Sequence, residues 1–345
     1  MYFREMKLLK SILVPLGLIY AAFTSIRNRF FEFGLLKQYK STIPVISIGN
    51  LSMGGTGKTP HIAFLINILK HNKKAVLSRG YGRKRKDLID ANSKKHSTKD
   101  IGDEPSELLD KFESEKFKII INANRKEALN YLEKQDKPPD VALLDDGFQH
   151  RYVQRDLNIL LTDFRAPFYL DSVFPAGNLR ESKKGADRAD LIIVTKCKSN
   201  LSSEEQTLIK SEIKTYSTAP VYFSYVKYLG LKNIKNKSIK LAPTGKYLLI
   251  TGIAFPERIE EFMSSNEFYF EHLCYDDHHN FSEKEIKEIA KKSCKFDGII
   301  TTEKDWMRLR DNNLHQKTKT EIYRLQIEVK LMHSYDIFIK QLNQV

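Results

Sequence analysis

The run Ile48-Gly49-Asn50-Leu51-Ser52-Met53-Gly54-Gly55-Thr56-Gly57-Lys58-Thr59-Pro60 carries the strongest chemical signal in the chain. Strand-forming residues lead into a glycine-rich turn, then Gly-Lys-Thr, then a helical pattern. This order builds a P-loop, a phosphate cradle spanning Met53, Gly54, Gly55, Thr56, Gly57, Lys58, Thr59 and Pro60. Backbone N–H groups and the helix N-terminus face the anion, Lys58 reaches the β- and γ-phosphate oxygens, and Thr59 can ligate Mg²⁺. Ser52 replaces the first glycine of the usual pattern, while Gly54, Gly55 and Gly57 keep the loop's conformational freedom. The hydrophobic stretch Val141–Leu144 ends in Asp145 and Asp146, where Mg²⁺ on the phosphates would sit. Alone such a strand says little; with the loop it says a nucleotide site. Gln149 and His150 add polar groups at the same edge.

These groups need a frame to hold them. Short apolar runs at 45–48, 75–77, 118–121, 141–144, 157–161 and 191–195 alternate with helical patterns at 60–71, 106–112 and 125–133. The alternation predicts an α/β fold: a parallel sheet with helices on both faces, binding ligands at the carboxyl ends of its strands. After Lys214 the pattern changes. Residues 221–225 read as a strand, 227–246 are basic and polar, and a second strand series follows at 247–251, 268–273, 298–302 and 322–327. The 345 residues fit two domains of ordinary size. We expect an N-terminal helix with a basic flank over 1–40, a nucleotide-binding domain over 41–220 and a smaller α/β domain over 221–345.

Composition narrows the class. With 57 Lys and Arg against 43 Asp and Glu the chain carries a net charge of +14, which favours an anionic partner. Cys197, Cys274 and Cys294 lie far apart, so neither a disulfide framework nor a structural zinc site is expected. Residues 11–26 carry no charge, yet as a helix they extend only about 24 Å, short of a hydrocarbon core of roughly 30 Å. Arg4, Lys7 and Lys10 precede the run, and Arg27, Arg29, Lys37 and Lys40 follow it. A signal peptide would need a small-residue cleavage site, and none follows. The preferred reading is a helix lying in the inner leaflet, held by apolar burial and by anionic lipids. The alternative is a core helix, with Phe23, Phe30, Phe31 and Phe33 inside the protein.

The motifs together resemble one family, the tetraacyldisaccharide 4′-kinases. The matching pieces are IGNLSMGGTGKTP (48–60), LSRGYGRK (77–84), GDEP (102–105), DDGFQH (145–150), PAGNLRE (175–181), RADLIIVTK (188–196), TGIAFPERI (251–259), DDHHNF (276–281) and TTEKD (301–305). Asn178 and Trp306 differ from the family's commoner residues. The resemblance implies ATP- and Mg²⁺-dependent transfer of the γ-phosphate to the 4′-hydroxyl of a tetraacylated glucosamine disaccharide 1-phosphate. The product would be lipid IVA, made in lipid A biosynthesis at the cytoplasmic face of the bacterial inner membrane.

The resemblance also implies roles. Asp103, which spacing alone would leave as a loop or cap carboxylate, becomes the proton acceptor. His278 pairs with it, raising its basicity or holding it in line, and joins the second domain to the first as the site closes. Arg180 faces charge on the transferring phosphoryl group, and Glu181 either contacts Mg²⁺ with Thr59, Asp145 and Asp146 or stands behind those ligands. The residues themselves suggest that Glu104 holds the loop or the metal, that Gln149 and His150 orient the γ-phosphate or its water-coordinated Mg²⁺, and that Arg79 and Arg83, flanking Gly80 and Gly82, either clamp substrate phosphate or the sugar backbone or form a solvated basic loop. Lys304 and Asp305 either touch the nucleotide base or finish a strand. Two other classes remain weaker. A regulatory NTPase would carry an NKxD-type guanine motif, and a nucleic-acid ATPase would carry an aromatic-studded RNA motif or a recognition helix. The chain shows neither, so no nucleic-acid partner is expected.

Overall fold

The computed structural model describes the backbone of residues 2–80, 83, 87–93, 96–112, 117–240 and 245–345, with side chains from residue 13 onward. Parts of two sequence features, the LSRGYGRK motif and the basic stretch 227–246, lie outside the described residues.

Chain order runs α1 (Tyr2–Glu32), β1 (Val45–Asn50), α2 (Lys58–Ile68), β2 (Lys74–Ser78), β3 (Ile89–Asp90), α3 (Thr98–Ile101), α4 (Asp103–Lys111), β4 (Phe117–Ile121), α5 (Arg125–Glu133), β5 (Val141–Asp145), β6 (Leu157–Asp163) and β7 (Leu191–Thr195). It continues with α6 (Ser203–Lys214), β8 (Val221–Asn233), β9 (Ser238–Ile239), β10 (Lys246–Thr251), α7 (Glu257–Ser265), β11 (Tyr269–Cys274), α8 (Glu283–Ser293), β12 (Gly298–Thr302), α9 (Glu303–Asp311), α10 (Leu314–Lys317), β13 (Ile322–Leu331) and α11 (Tyr335–Leu342).

The strands join in one sheet, ordered β11-β10-β12-β13-β8-β7-β6-β1-β5-β2-β4-β3, with β9 paired to β8. From β2 to β8 the pairings through β5, β1, β6 and β7 are parallel, as are those from β11 to β13. The two parallel halves meet where β13 runs antiparallel to β8. The division expected at 221 therefore falls on the first residue of a strand that both halves share. β8 pairs with β7 through residues 221–223 and with β13 through residues 224–233. It runs well past the expected 221–225, because the polar residues after 225 still have a partner strand to satisfy their backbone. The last helix also crosses the division: Phe338 packs against Phe64 and Tyr222 in the core of the first half.

Every residue of β1 and β5 is buried, as expected for parallel strands covered on both faces. Alternate residues of β1 serve different faces. Ile46 and Ile48 pack with Ile62 and Leu65 of α2, and Val45 packs with Ala128 and Leu132 of α5. The chain moves from β1 outward to β2, returns to β5, then crosses to β6. This places a topological switch at the carboxyl end of β1, where such sheets bind ligands.

Helix α1 inverts the usual pattern. Gly17, Thr24, Asn28 and Phe31 face the body at helical spacing, and a Cβ on Gly17 would stand 3.0 Å from the Val173 carbonyl. Leu16, Leu18, Ile19, Phe23, Ile26 and Phe30 face outward. Of the four aromatic residues in question, Phe31 belongs to the core and Phe23, Phe30 and Phe33 do not. Among the described residues no helix is long and apolar enough to cross a membrane.

Candidate active site

The P-loop leaves β1 and ends where Lys58 opens α2. Only Gly54 and Gly57 in the loop take left-handed backbone, with φ of +110° and +86°. Ser52 instead forms an antiparallel bridge with Leu179, so its position needs no glycine. The segment 178–180 lies along the start of the loop: Met53 N donates to Asn178 O at 2.7 Å, and Arg180 N donates to Leu51 O at 2.8 Å. No atom approaches within 4 Å of where a Cβ would stand on Gly54 or Gly55, so the cradle is open. Pro60 sits in the first turn of α2, where its missing N–H costs no helical hydrogen bond. Lys58 Nζ lies 3.4 Å from Asn50 Oδ1 and 3.5 Å from Asp146 Oδ1. Thr59 is buried beside it.

The two carboxylates at the end of β5 have opposite surroundings. Asp146, at φ +52°, is gripped by Arg180 Nη1 at 2.9 and 2.7 Å. Burial works to raise its pKa, but Lys58 and Arg180 outweigh burial and hold it below the ordinary range. Asp145 accepts from Ser78 Oγ through Oδ2 at 3.2 Å, while its buried Oδ1 has no partner among the described residues. Burial first, and the charge of Glu104 second, push its pKa up to about 7. Glu104, the neighbour of Asp103, thus acts electrostatically on a phosphate-side carboxylate.

Glu181 is 2% exposed and fully engaged. Arg188 donates to both its oxygens at 2.8 Å, Asn28 of α1 donates at 2.7 Å, and Gln149 donates at 3.0 Å. Gln149 spends its other proton on Asn50 O at 2.9 Å. His150 is partly buried, and burial with the charges of Arg125, Arg155, Arg79 and Arg27 lowers its pKa to about 4. Arg79 is exposed, and Arg83 N closes the turn on Gly80 O at 3.3 Å. Both arginines act electrostatically on Arg125, which donates to the Asp145 carbonyl at 3.0 Å.

The second half contributes through His278. Its Nδ1 lies 3.1 Å from Asp103 Oδ2, at the N-terminus of α4, and its Nε2 lies 2.9 Å from Lys304 Nζ. An ammonium can only donate, so Nε2 accepts and the proton sits on Nδ1, directed at Asp103. Arg308 adds a contact to Asp103 Oδ2 at 3.4 Å. Burial would raise the Asp103 pKa, but the His278 hydrogen bond and the Lys304 and Arg308 charges bring it down to about 2. Of the two expected effects of the pairing, a gain in basicity or a hold in line, the lowered pKa runs against the first. His278 itself sits at φ +60°, with its N–H on the Gly252 carbonyl at 3.2 Å. Asp305, fully buried, accepts from Gly252 N at 3.0 Å and from Thr302 Oγ1 at 2.7 Å. It lies in the first turn of α9, just past β12, and holds the His278 turn through Gly252; it has no open face for a base.

The structure thus brings Lys58, Asp145, Asp146, Arg180, Gln149 and Glu181 to one edge of the sheet, Glu104 acts on Asp145 electrostatically, and Asp103 and His278 bridge the halves. Sequence reading missed Asn28, Arg125, Arg188, Lys196 and Arg308. Arg188 and Lys196 begin and end a quoted motif; the other three carry no local pattern that marks them.

The donor set suits a nucleotide with Mg²⁺. The Thr59 hydroxyl and the orphaned Asp145 Oδ1 are hard oxygen ligands. Among the described residues no group of three or more His, Cys, Asp or Glu could cage an ion. Mg²⁺ typically takes one or two carboxylates and completes its shell with phosphate and water.

Comparisons with known proteins agree. The family model described as tetraacyldisaccharide-1-P 4′-kinase matches residues 9–345. A tetraacyldisaccharide 4′-kinase of Flavobacterium johnsoniae is 38% identical over 97% of this chain and 98% of its own length. The corresponding protein of Flavobacterium psychrophilum is 42% identical over 88% of each chain. The crystal structure of Aquifex aeolicus LpxK in complex with ATP superposes with a TM-score of 0.75 at 27% identity, covering 97% of this chain and 99% of that one.

Proposed function

Since the chain belongs to the tetraacyldisaccharide-1-P 4′-kinase family, we propose how its residues divide the work of an ATP-dependent lipid A 4′-kinase. The observation that supports the reading is the Asp103–His278 contact at 3.1 Å, which sets a carboxylate from one half against an imidazole from the other.

Lys58 and Arg180 meet the negative charge of the phosphoryl group, and Asp146 keeps both cations aimed until the nucleotide arrives. The 4′-hydroxyl oxygen forms the new bond to the γ-phosphorus as the bond to the β-phosphate oxygen breaks, and the hydroxyl proton passes to Asp103. A carboxylate held near 2 is a weak base, so it orients the hydroxyl early and takes the proton late, once bond formation has made that hydroxyl acidic. Thr59 and Asp145 would hold Mg²⁺, which when bound neutralises phosphate charge. Glu181 and Gln149 brace the loop from behind and tie it to α1 through Asn28. We read Glu181 as an anchor, since its oxygens already accept from three residues. Arg79, Arg83 and Arg125 give the entrance a positive field suited to the substrate phosphate.

The outward apolar side of α1, with the exposed Arg29 in its last turn, supports docking in the interfacial region of an anionic leaflet at the cytoplasmic face of the inner membrane. There the acyl chains of the substrate stay in the bilayer while its sugar reaches the sheet edge. The test is transfer of radiolabelled γ-phosphate to detergent-dispersed tetraacyldisaccharide 1-phosphate. Labelled lipid is the expected product; release of free phosphate with no labelled lipid would overturn the reading.

A further inference from the structure

Three successive carbonyls of the phosphate loop are held by side-chain donors. Lys196 donates to the Gly55 carbonyl, and Thr195 Oγ1 donates to the Thr56 carbonyl at 2.8 Å. The third is the Gly57 carbonyl, which lies 3.2 Å from the backbone N of His61 and 2.7 Å from its Nδ1. The His61 ring is buried, and its Nε2 lies 2.9 Å from the Oγ of Ser224, which is buried as well. A carbonyl oxygen can only accept, so the imidazole proton sits on Nδ1. In the neutral ring, Nε2 then accepts the Ser224 hydroxyl proton. Ser224 is the first residue of β8 to pair with β13, directly after the three that pair with β7.

We propose that His61 is a positioning residue of the phosphate cradle: it aims the Lys58 N–H and, through Ser224, ties it to the strand that the two halves share. The proposal rests on the nucleotide reading of the loop. A peptide group is planar and trans, so the Lys58 N–H points away from the Gly57 carbonyl. Fixing that carbonyl therefore fixes the first N–H of α2, one of the groups that face a bound phosphate. Gly57 stands at φ +86°, and a glycine there has wide conformational freedom to lose. The backbone bond from His61 is long; the shorter imidazole bond restrains the peptide, and Ser224 restrains the imidazole. A cradle held in this way has less ordering left to undergo when the phosphate arrives. Because the brace ends on β8, it also sets the loop against the strand that leads into the half carrying His278.

The test compares binding of ATP and of inorganic tripolyphosphate, each with Mg²⁺, by calorimetry on the full chain. His61→Leu removes both side-chain bonds and should weaken both ligands equally, roughly tenfold, because the group it releases faces phosphate. His61→Asn keeps a donor for the Gly57 carbonyl without the brace, and Ser224→Ala removes only the brace, so both should fall between His61→Leu and the wild type. Wild-type affinities in folded His61→Leu would make His61 a packing residue. Affinities in His61→Asn as low as in His61→Leu would show that the carbonyl bond does not matter. Either result overturns the proposal. Nitrogen-15 NMR of the unsubstituted protein gives a second reading that needs no variant: the His61 proton should lie on Nδ1, and a proton on Nε2 alone would overturn the strut. Wild-type protein that binds neither ligand would overturn the P-loop assignment itself, and the strut with it.

Discussion

His278 Nδ1 stands 3.1 Å from Asp103 Oδ2, although the two residues are 175 positions apart and belong to different halves of the sheet. The contact depends on two supports. Lys304 fixes the imidazole tautomer, and the buried Asp305 carboxylate holds Gly252, whose carbonyl fixes the His278 backbone. On the proposed roles the pair acts as one unit. Asp103→Ala and His278→Ala should each lower kcat strongly, and the double variant should lose far less than the product of the two effects. Steady-state kinetics on all four proteins decides it. Losses that multiply cleanly would mean that the two residues work independently.

Lys58→Ala and Thr59→Ala should each cost on the order of 10²–10⁴ in turnover, because each removes charge compensation that the phosphoryl group needs. Both side chains sit at the start of α2, whose packing relies on Ile62 and Leu65 one to two turns later. Thermal unfolding should therefore change little. Near-normal turnover by folded Lys58→Ala would remove the loop from the reaction.

Most of the frame was legible in the sequence. The strands from 45 to 195 follow apolar runs between turn signals, and the switch at β1 comes from their order. Two things were not legible. The joining of the two strand series into one sheet depends on the antiparallel pairing of β13 with β8, a contact between residues about 100 apart that no local pattern announces. The surroundings of Asp103 were hidden as well. GDEP shows a carboxylate at a helix start, but not that Lys304 and Arg308 stand beside it, and those cations reverse the expected change in basicity. Ser52 shows the converse: the motif's missing glycine looked like a departure, and the backbone at that position never required one.

His61 gives the protein a predictable acid sensitivity. It is wholly buried on α2, with Nδ1 2.7 Å from the Gly57 carbonyl and Nε2 2.9 Å from Ser224 Oγ. Burial is the main cause of a pKa lowered from 6.5 to about 4, and Lys196 adds to it. The unfolded chain thus takes up this proton more readily than the folded one. The stability present above pH 6.5 should fall as pH drops from 6.5 toward 4, by about 3 kcal/mol from this group. Urea unfolding at a series of pH values measures the slope. His61→Gln should flatten it over that window; an unchanged slope would show that other groups carry the acid sensitivity.

The proposed docking of the outward side of α1 on lipid can be tested apart from the chemistry. Ile19 and Phe23 are 67% and 70% exposed, and they lie on the side of the helix away from Gly17, Thr24 and Asn28. Replacing both with Asp removes apolar surface and adds charge that anionic lipid repels. The packing of α1 on the body, and the Asn28–Glu181 bond at 2.7 Å, should survive. The double variant should therefore unfold at the wild-type temperature and bind ATP as the wild type does, yet float poorly with anionic vesicles. Its activity on tetraacyl substrate embedded in vesicles should fall several-fold, while activity on a short-chain, water-soluble analogue stays near normal. Flotation, nucleotide affinity and both activities, measured side by side, test the proposal. Unchanged flotation would place the membrane contact on another surface, and a loss of ATP binding would mean that α1 serves the fold of the nucleotide half rather than access to lipid.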